Sequence, residues 1–178
     1  TATDKEYIMQ TIGVSGRVSK SFGWAKTLVG IGASHNITDY SMLVSGIVND
    51  ARMNTTAVSF KYSLRPARFL SVEGKSNVNI YKQKNLTAPE LSSDPTTDWE
   101  HLLKLYVFPA KGWMLSVKNE LFHTNDKSIG INHFLDIAIG YKAKRWEFSV
   151  TANNLIGTSE FERRSLGNTI ESYSVTRL

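Results

Sequence analysis

Residues 55–64 read Thr-Thr-Ala-Val-Ser-Phe-Lys-Tyr-Ser-Leu, and residues 65–68, Arg-Pro-Ala-Arg, follow as a short basic reversal. Val58, Phe60 and Tyr62 alternate with small or charged residues. This period of two predicts a strand with one apolar and one polar face. The same succession of strand and reversal recurs along the whole chain, and it therefore decides the fold.

Reversals of two kinds alternate along the sequence. Four are short and basic, at residues 22–26, 64–68, 109–112 and 142–145. Four are longer and more polar, at residues 49–54, 84–98, 123–132 and 154–168. An antiparallel sheet with short turns on one rim and long loops on the other has the organisation of an outer-membrane barrel.

The segments between the reversals predict about nine strands, some of them longer than the 5–6 residues usual in soluble proteins. They are residues 7–22, 27–48, 55–64, 69–82, 99–108, 113–122, 134–141, 146–154 and 169–178. A tilted strand needs about 9–11 residues to cross a bilayer. We therefore expect an all-β chain: an antiparallel meander of about nine long strands that is part of, or closes into, a transmembrane β-barrel.

Composition and charge argue against a helical membrane protein and against a nucleic-acid-binding protein. The chain has 178 residues, no cysteine and a formal net charge of +5, and no composition break divides it. It has no apolar run of about 18 residues, which excludes a membrane helix. The short reversals hold cations without acidic residues, whereas the long loops collect the acidic ones. Because the charge is split end to end and does not line one groove, we expect no nucleic-acid partner.

Aromatic residues gather near the short reversals. Rings that carry a polar group prefer the headgroup zone of a bilayer, so such bands mark the rims of membrane barrels. The predicted membrane-interface aromatics are Phe22, Trp24, Tyr62, Phe69, Tyr106, Phe108, Trp113, Tyr141 and Trp146.

Charged residues occupy the polar positions of several predicted strands. In a dry core each would cost several kcal/mol unless paired, whereas a wet lumen or a folded plug solvates them. The predicted lumen-facing charges are Arg17, Lys61, Glu73, Lys75, Lys118, Glu120, Asp136 and Glu147. The solvated outer face of a soluble sheet would explain the same charges, so a soluble lipocalin-like ligand-binding β-barrel remains the alternative.

No motif for chemistry stands out. The sequence contains no nucleophile elbow, zinc-binding histidine pair or phosphate-binding loop. His123, His133 and Asp126 flank one loop but lack the spacing of metal ligands. We therefore expect no enzyme activity, no catalytic residues, no cofactor and no metal.

Residues 144–158, Lys-Arg-Trp-Glu-Phe-Ser-Val-Thr-Ala-Asn-Asn-Leu-Ile-Gly-Thr, resemble the penultimate hairpin of TonB-dependent outer-membrane receptors. In that family a strand after a short basic turn runs into Asn-Leu-Phe-Asn, and residues 154–157 are a degraded version. Residues 172–178 resemble the ascent to the last periplasmic turn. Residues 64–66 and 108–113 resemble turns of the carboxypeptidase-regulatory-like group of these receptors.

The resemblance implies that residues 1–178 are a single β-barrel segment, the C-terminal part of a larger barrel of about 22 strands, with no plug domain in them. It implies the outer membrane of a Gram-negative bacterium and uptake of a nutrient of the glycan, siderophore or peptide class. The implied partners are outer-membrane lipid, the remainder of the barrel and its plug, TonB acting through that plug, and a surface lipoprotein.

Overall fold

A computed structural model describes residues 9–44, 47–126, 129–157, 160–166 and 171–177. These residues form ten strands, and the all-β class is confirmed. The strands are β1 (Met9–Phe22), β2 (Thr27–Val44), β3 (Ile47–Ala67), β4 (Leu70–Asn85), β5 (Thr96–Val107), β6 (Trp113–Thr124), β7 (Asn132–Lys142), β8 (Glu147–Ala152), β9 (Glu160–Leu166) and β10 (Glu171–Arg177). Short 3-10 turns lie at Trp24–Lys26 and Pro89–Leu91. Within the described ranges, no helix has the length and apolar character needed to span a bilayer.

Strands β1 to β8 form one antiparallel meander in chain order, as the alternation of turns and strands predicts. Strands β9 and β10 pair with each other in a second, two-stranded sheet. Among the described residues, β1 and β8 each have a single hydrogen-bonded neighbour. The large sheet is therefore open along two edges, and the described residues do not close into a barrel by themselves.

The four short reversals lie at one rim of this sheet, called here the tight-turn rim. Gly112 shows how closely one of these turns packs against the next hairpin. It has a positive φ of 85°, and its carbonyl accepts the Lys142 N–H at 2.7 Å. A Cβ on Gly112 would lie 2.5 Å from the Lys142 carbonyl oxygen, so both the conformation and the space require glycine.

The prediction of a long reversal at residues 49–54 is wrong, because these residues lie inside β3. Val44 and Ile47 are the last paired residues of β2 and β3 on this side, and residues 45–46 lie outside the described residues. The polar side chains that imitate a turn are instead paired across the ladder. The Asp50 carboxylate, for example, accepts the Ser41 hydroxyl at 2.6 Å.

The prediction of a loop at residues 154–168 is also wrong in part, because it contains β9. The Glu-Phe-Glu-Arg-Arg-Ser-Leu stretch of β9 has no period-two apolar pattern, and its extended form accompanies pairing with β10. Strands extend into the long loops expected at 84–98 and 123–132, because β4 ends at Asn85, β5 begins at Thr96, β6 ends at Thr124 and β7 begins at Asn132. Residues 127–128 of the second loop lie outside the described residues. The expected ends of the outermost strands, residues 7–8, 169–170 and 178, lie outside the described residues.

The register assigns every side chain of β1–β8 to a face, because directly paired residues share one. Even-numbered residues of β1, β3, β4 and β8 lie with odd-numbered residues of β2, β5, β6 and β7, apart from the bulge between Leu64 and Ala67. This is the apolar face; one of its pairings joins Val72, Leu105 and Val117. The opposite, polar face carries Arg17, Lys75 and Glu100.

Candidate functional site

The two faces of the sheet differ in polarity, and large apolar side chains are exposed on one of them. No large side chain among the described residues is fully buried, whereas Val18 is 76% exposed and Val150 73% exposed on the apolar face. On the polar face the charged residues Lys75 and Lys104 are only partly exposed. Charged residues normally take the exposed positions, and an apolar surface of this extent marks an interaction site.

The polar face is the concave side of the sheet. Two hollows, of about 420 Å³ and about 390 Å³, lie along it. Residues of the polar face, among them Arg17, Ser59 and Asn77, line them. Because both hollows lie on this face, we infer that the sheet is concave on its charged side and convex on its apolar side.

The register brings all eight predicted charged residues onto the concave polar face. They are Arg17, Lys61, Glu73, Lys75, Lys118, Glu120, Asp136 and Glu147. Glu147 lies at the tight-turn rim, where its carboxylate is 3.2 Å from Lys142 Nζ, and so not at mid-strand as expected. That this face lines a lumen remains a prediction.

Lys118 is the centre of a small charged network on this face. Its Nζ lies 2.6 Å from Glu120 Oε2 and 3.8 Å from Asp136 Oδ2. Asp136 Oδ1 also accepts the backbone N–H of Asn154 at 2.9 Å. Asn154, two residues beyond the end of β8, is therefore tied to β7 through a charged side chain.

The predicted aromatic band falls mainly on the apolar face and in the tight turns. Phe22, Tyr62, Trp113 and Tyr141 lie on the apolar face, where the Trp113 and Tyr141 rings have centroids 4.9 Å apart. Trp146 stacks on Phe148 of the same face. Trp24, Phe69 and Phe108 lie in the turns of the tight-turn rim.

Tyr106 is the exception, because it lies on the polar face opposite Ser71 and Ser116. Tyr106 therefore lies on the opposite face from most of the predicted aromatics, and its position at a membrane interface remains a prediction. Residues 99–108 are apolar at both parities, so alternation alone could not distinguish the two faces of this strand. Cross-strand pairing resolves them.

All four histidines lie on the apolar face, in three neighbouring rows of the register, a feature that the sequence reasoning missed. Each has a polar or aromatic neighbour. His35 Nδ1 is 2.8 Å from Thr56 Oγ1, and His101 Nδ1 is 3.0 Å from Ser76 Oγ. Asn119 Nδ2 donates to His133 Nε2 at 2.7 Å, and His123 stacks on Trp99. They are here called the histidine band. Only the register shows that these scattered residues share a face.

Comparison with known proteins finds no family model, curated protein or solved structure that matches this chain. Indications of function therefore come from the two faces of the sheet and from its loops. Within the described part of the chain, no group of three or more His, Asp or Glu side chains is placed to hold a metal ion.

The long-loop rim, opposite the tight-turn rim, is held by hydrogen bonds between loops and strand ends. The buried Asn85 accepts the N–H groups of Thr87 and Ala88 on Oδ1, at 3.0 and 2.8 Å. Asn125 donates to the Pro95 carbonyl at 2.8 Å. Tyr40 is 4% exposed beside this rim, and burial raises the pKa of its hydroxyl.

Proposed function

We propose that this chain forms part of the wall of an outer-membrane β-barrel, with its apolar face in contact with lipid and its polar face directed to the lumen. The observation that carries the proposal is that exposed apolar side chains cover the convex face while charged side chains line the concave one. In a bilayer every backbone polar group must be paired. The meander pairs its own strands, and the rest of the barrel would pair the open edges of β1 and β8.

The height of the apolar face supports this proposal. Along β7 the histidine band and the aromatic band are marked by His133 and Tyr141, and along β6 by His123 and Trp113. These separations of about eight to ten residues correspond to about 27–34 Å along a strand. A tilt of about 40° reduces them to about 20–26 Å, close to the apolar band of about 25 Å on membrane barrels.

The course of the apolar residues across the sheet gives further support. The register row that begins at apolar Val18 in β1 reaches His101 in β5 and His133 in β7. The row through Val72, nearer the tight-turn rim, stays apolar as far as Ala152 in β8. A belt of apolar residues that runs parallel to the membrane crosses the register rows obliquely in this manner when the strands are tilted against the membrane normal.

A soluble lipocalin-like barrel would require the opposite arrangement. Such a barrel holds its ligand in an interior lined by the concave face, and here that face carries the charges. The exposed apolar residues, such as Val14 at 69% and Val150 at 73% exposure, would then face water. The polarity of the two faces therefore favours the membrane.

We propose further that the barrel belongs to a TonB-dependent receptor that takes up a glycan, siderophore or peptide across the outer membrane of a Gram-negative bacterium. The motifs at residues 144–158 and the short basic turns support this. The plug, TonB and a surface lipoprotein are the proposed partners, and no catalytic role is proposed. Binding of the purified periplasmic domain of TonB to the full-length protein tests the receptor; absence of binding would contradict it and leave the barrel proposal standing.

Cysteine scanning of β7 tests the barrel directly, because these 178 residues contain no cysteine. Each residue from Leu135 to Gly140 is replaced singly in the full-length protein and treated in native membranes with a water-soluble maleimide. We expect labelling at Asp136, Ala138 and Gly140 and protection at Leu135, Ile137 and Ile139. Uniform labelling, or labelling of the odd positions alone, would refute contact between the apolar face and lipid.

A further inference from the structure

The larger hollow on the polar face, of about 420 Å³, is surrounded by cations from four strands. Arg17 of β1, Lys61 of β3, Lys75 of β4 and Lys104 of β5 line it, with Glu73 as the one acidic residue among its lining side chains. These residues are here called the basic hollow. An excess of positive charge in a concave surface raises the local concentration of anions.

The arrangement of these cations is unfavourable without a ligand. Lys61 and Lys75 are direct cross-strand partners, and Lys104 stands between Glu73 of β4 and Lys118 of β6. Like charges in directly opposite positions destabilise a sheet. Within the described ranges, neither Lys61 nor Lys75 forms an ion pair.

Lys118, on the same face, differs from Lys61 and Lys75 because it has acidic neighbours. It lies within 4 Å of two carboxylates, from Glu120 and Asp136. The chain therefore neutralises this lysine internally and leaves the cations of the basic hollow without such neutralisation. An anion with several negative groups would supply the missing counter-charge.

The floor of the hollow leaves room for such an anion. Gly30 stands opposite Lys61, and Gly32 stands opposite Arg17. The space above Gly30 is free, since a Cβ there would meet no atom closer than 3.6 Å, whereas a Cβ on Gly32 would lie 2.9 Å from Ser59 Oγ, which covers that glycine. Glycine inside a strand is typical of sites where a ligand approaches the backbone, and Ser59 adds a hydroxyl at the wall of the hollow.

We propose that the basic hollow is a binding site for a small polyanion, a molecule with two or more phosphate or carboxylate groups. The lysines supply the charge, and the serine hydroxyl and the glycine floor supply hydrogen bonding and space. The inference does not require the sheet to contact lipid, so it can fail while the barrel proposal holds, and the reverse.

Titration calorimetry of the full-length protein in detergent, with inorganic tripolyphosphate as the probe, tests this site. We expect Lys61→Gln/Lys75→Gln to weaken binding about tenfold or more, since two charges are lost from the hollow. The matched control Lys111→Gln/Lys144→Gln removes two exposed cations at the tight-turn rim, and it should change the affinity less than about twofold because distant exposed charges are screened.

Glu73→Gln is a second variant, which does not depend on the folding of the first. Removal of the one acidic residue should tighten binding about threefold, because a repulsive charge is lost. No binding of tripolyphosphate, equal losses in both lysine pairs, or weaker binding in Glu73→Gln would each overturn the proposal.

Discussion

Leu103 is more exposed than Lys104, its neighbour in β5. Leu103 is 43% exposed on the convex apolar face, whereas Lys104 is partly buried on the concave polar face. In water this order would leave apolar surface unfavourably hydrated. Lipid around the convex face and a polar lumen inside the concave face would favour this order of exposure.

A lysine at the middle of the apolar face should destabilise the protein far more than a lysine on the polar face. Ile137 pairs with Val117 and Ala152 on the apolar face, and its neighbour Ala138 pairs with Ser116 on the polar face. Ile137→Lys should cost about 2–4 kcal/mol, as for basic residues at the midplane of barrels. Urea unfolding of the full-length protein in phospholipid vesicles measures this. Ala138→Lys, the control, should cost less than about 1 kcal/mol because the lumen solvates it; equal costs would contradict the assignment of faces.

The contact between Lys118 and Glu120 should be measurable as a coupling energy. Their side chains are 38% and 27% exposed at a separation of 2.6 Å, so a double-mutant cycle with Lys118→Met and Glu120→Gln should give about 0.5–1 kcal/mol. Lys142 and Glu147, at 3.2 Å and 75% and 70% exposed, form the control pair, with coupling near zero. A larger coupling energy for the exposed pair would show that burial does not determine the strength of these ion pairs.

Asn85→Ala should loosen the 86–95 loop. The buried side chain accepts two backbone N–H groups, from Thr87 and Ala88, and a donor that loses its partner costs about 1–3 kcal/mol. Hydrogen exchange at these two amides should accelerate about tenfold or more, since 1.4 kcal/mol is a factor of ten. Lys84→Ala replaces the preceding exposed residue and should leave the exchange unchanged. Unaltered exchange in Asn85→Ala would show that the loop is held by other contacts.

The pair of Asp39 and Arg52 should make the β2–β3 hairpin sensitive to acid. Arg52 donates to both oxygens of Asp39, at 2.7 and 2.9 Å, and these hydrogen bonds lower the pKa of Asp39 below its ordinary value of 3.8. Because the pKa is lower in the folded state, the pair stabilises the hairpin above pH 3.8 and this contribution disappears as the pH falls further. The thermal midpoint of Arg52→Gln should therefore lie below that of the unsubstituted protein at pH 7 and converge with it below pH 3. A difference that persists in acid would assign the effect to packing of the arginine.

Part of the candidate site was predictable because period two separates the faces within each strand. Arg17, Lys61 and Asp136 occupy polar positions in their own strands, and the structure places them on one common face. The extension of β3 through residues 49–54 could not be predicted. Polar side chains such as Asp50 have similar preferences in a turn and in a solvated ladder.

The sequence by itself determined the strand class, the succession of tight turns and the polarity of the two faces in most strands, because these depend on neighbours a few residues apart. Only the tertiary structure decided that Lys61 stands opposite Lys75, that the four histidines share a face and that the polar face is concave. Register and curvature arise from pairing between distant segments, and a shift of one residue exchanges the faces of a whole strand. Local alternation carries no record of that pairing.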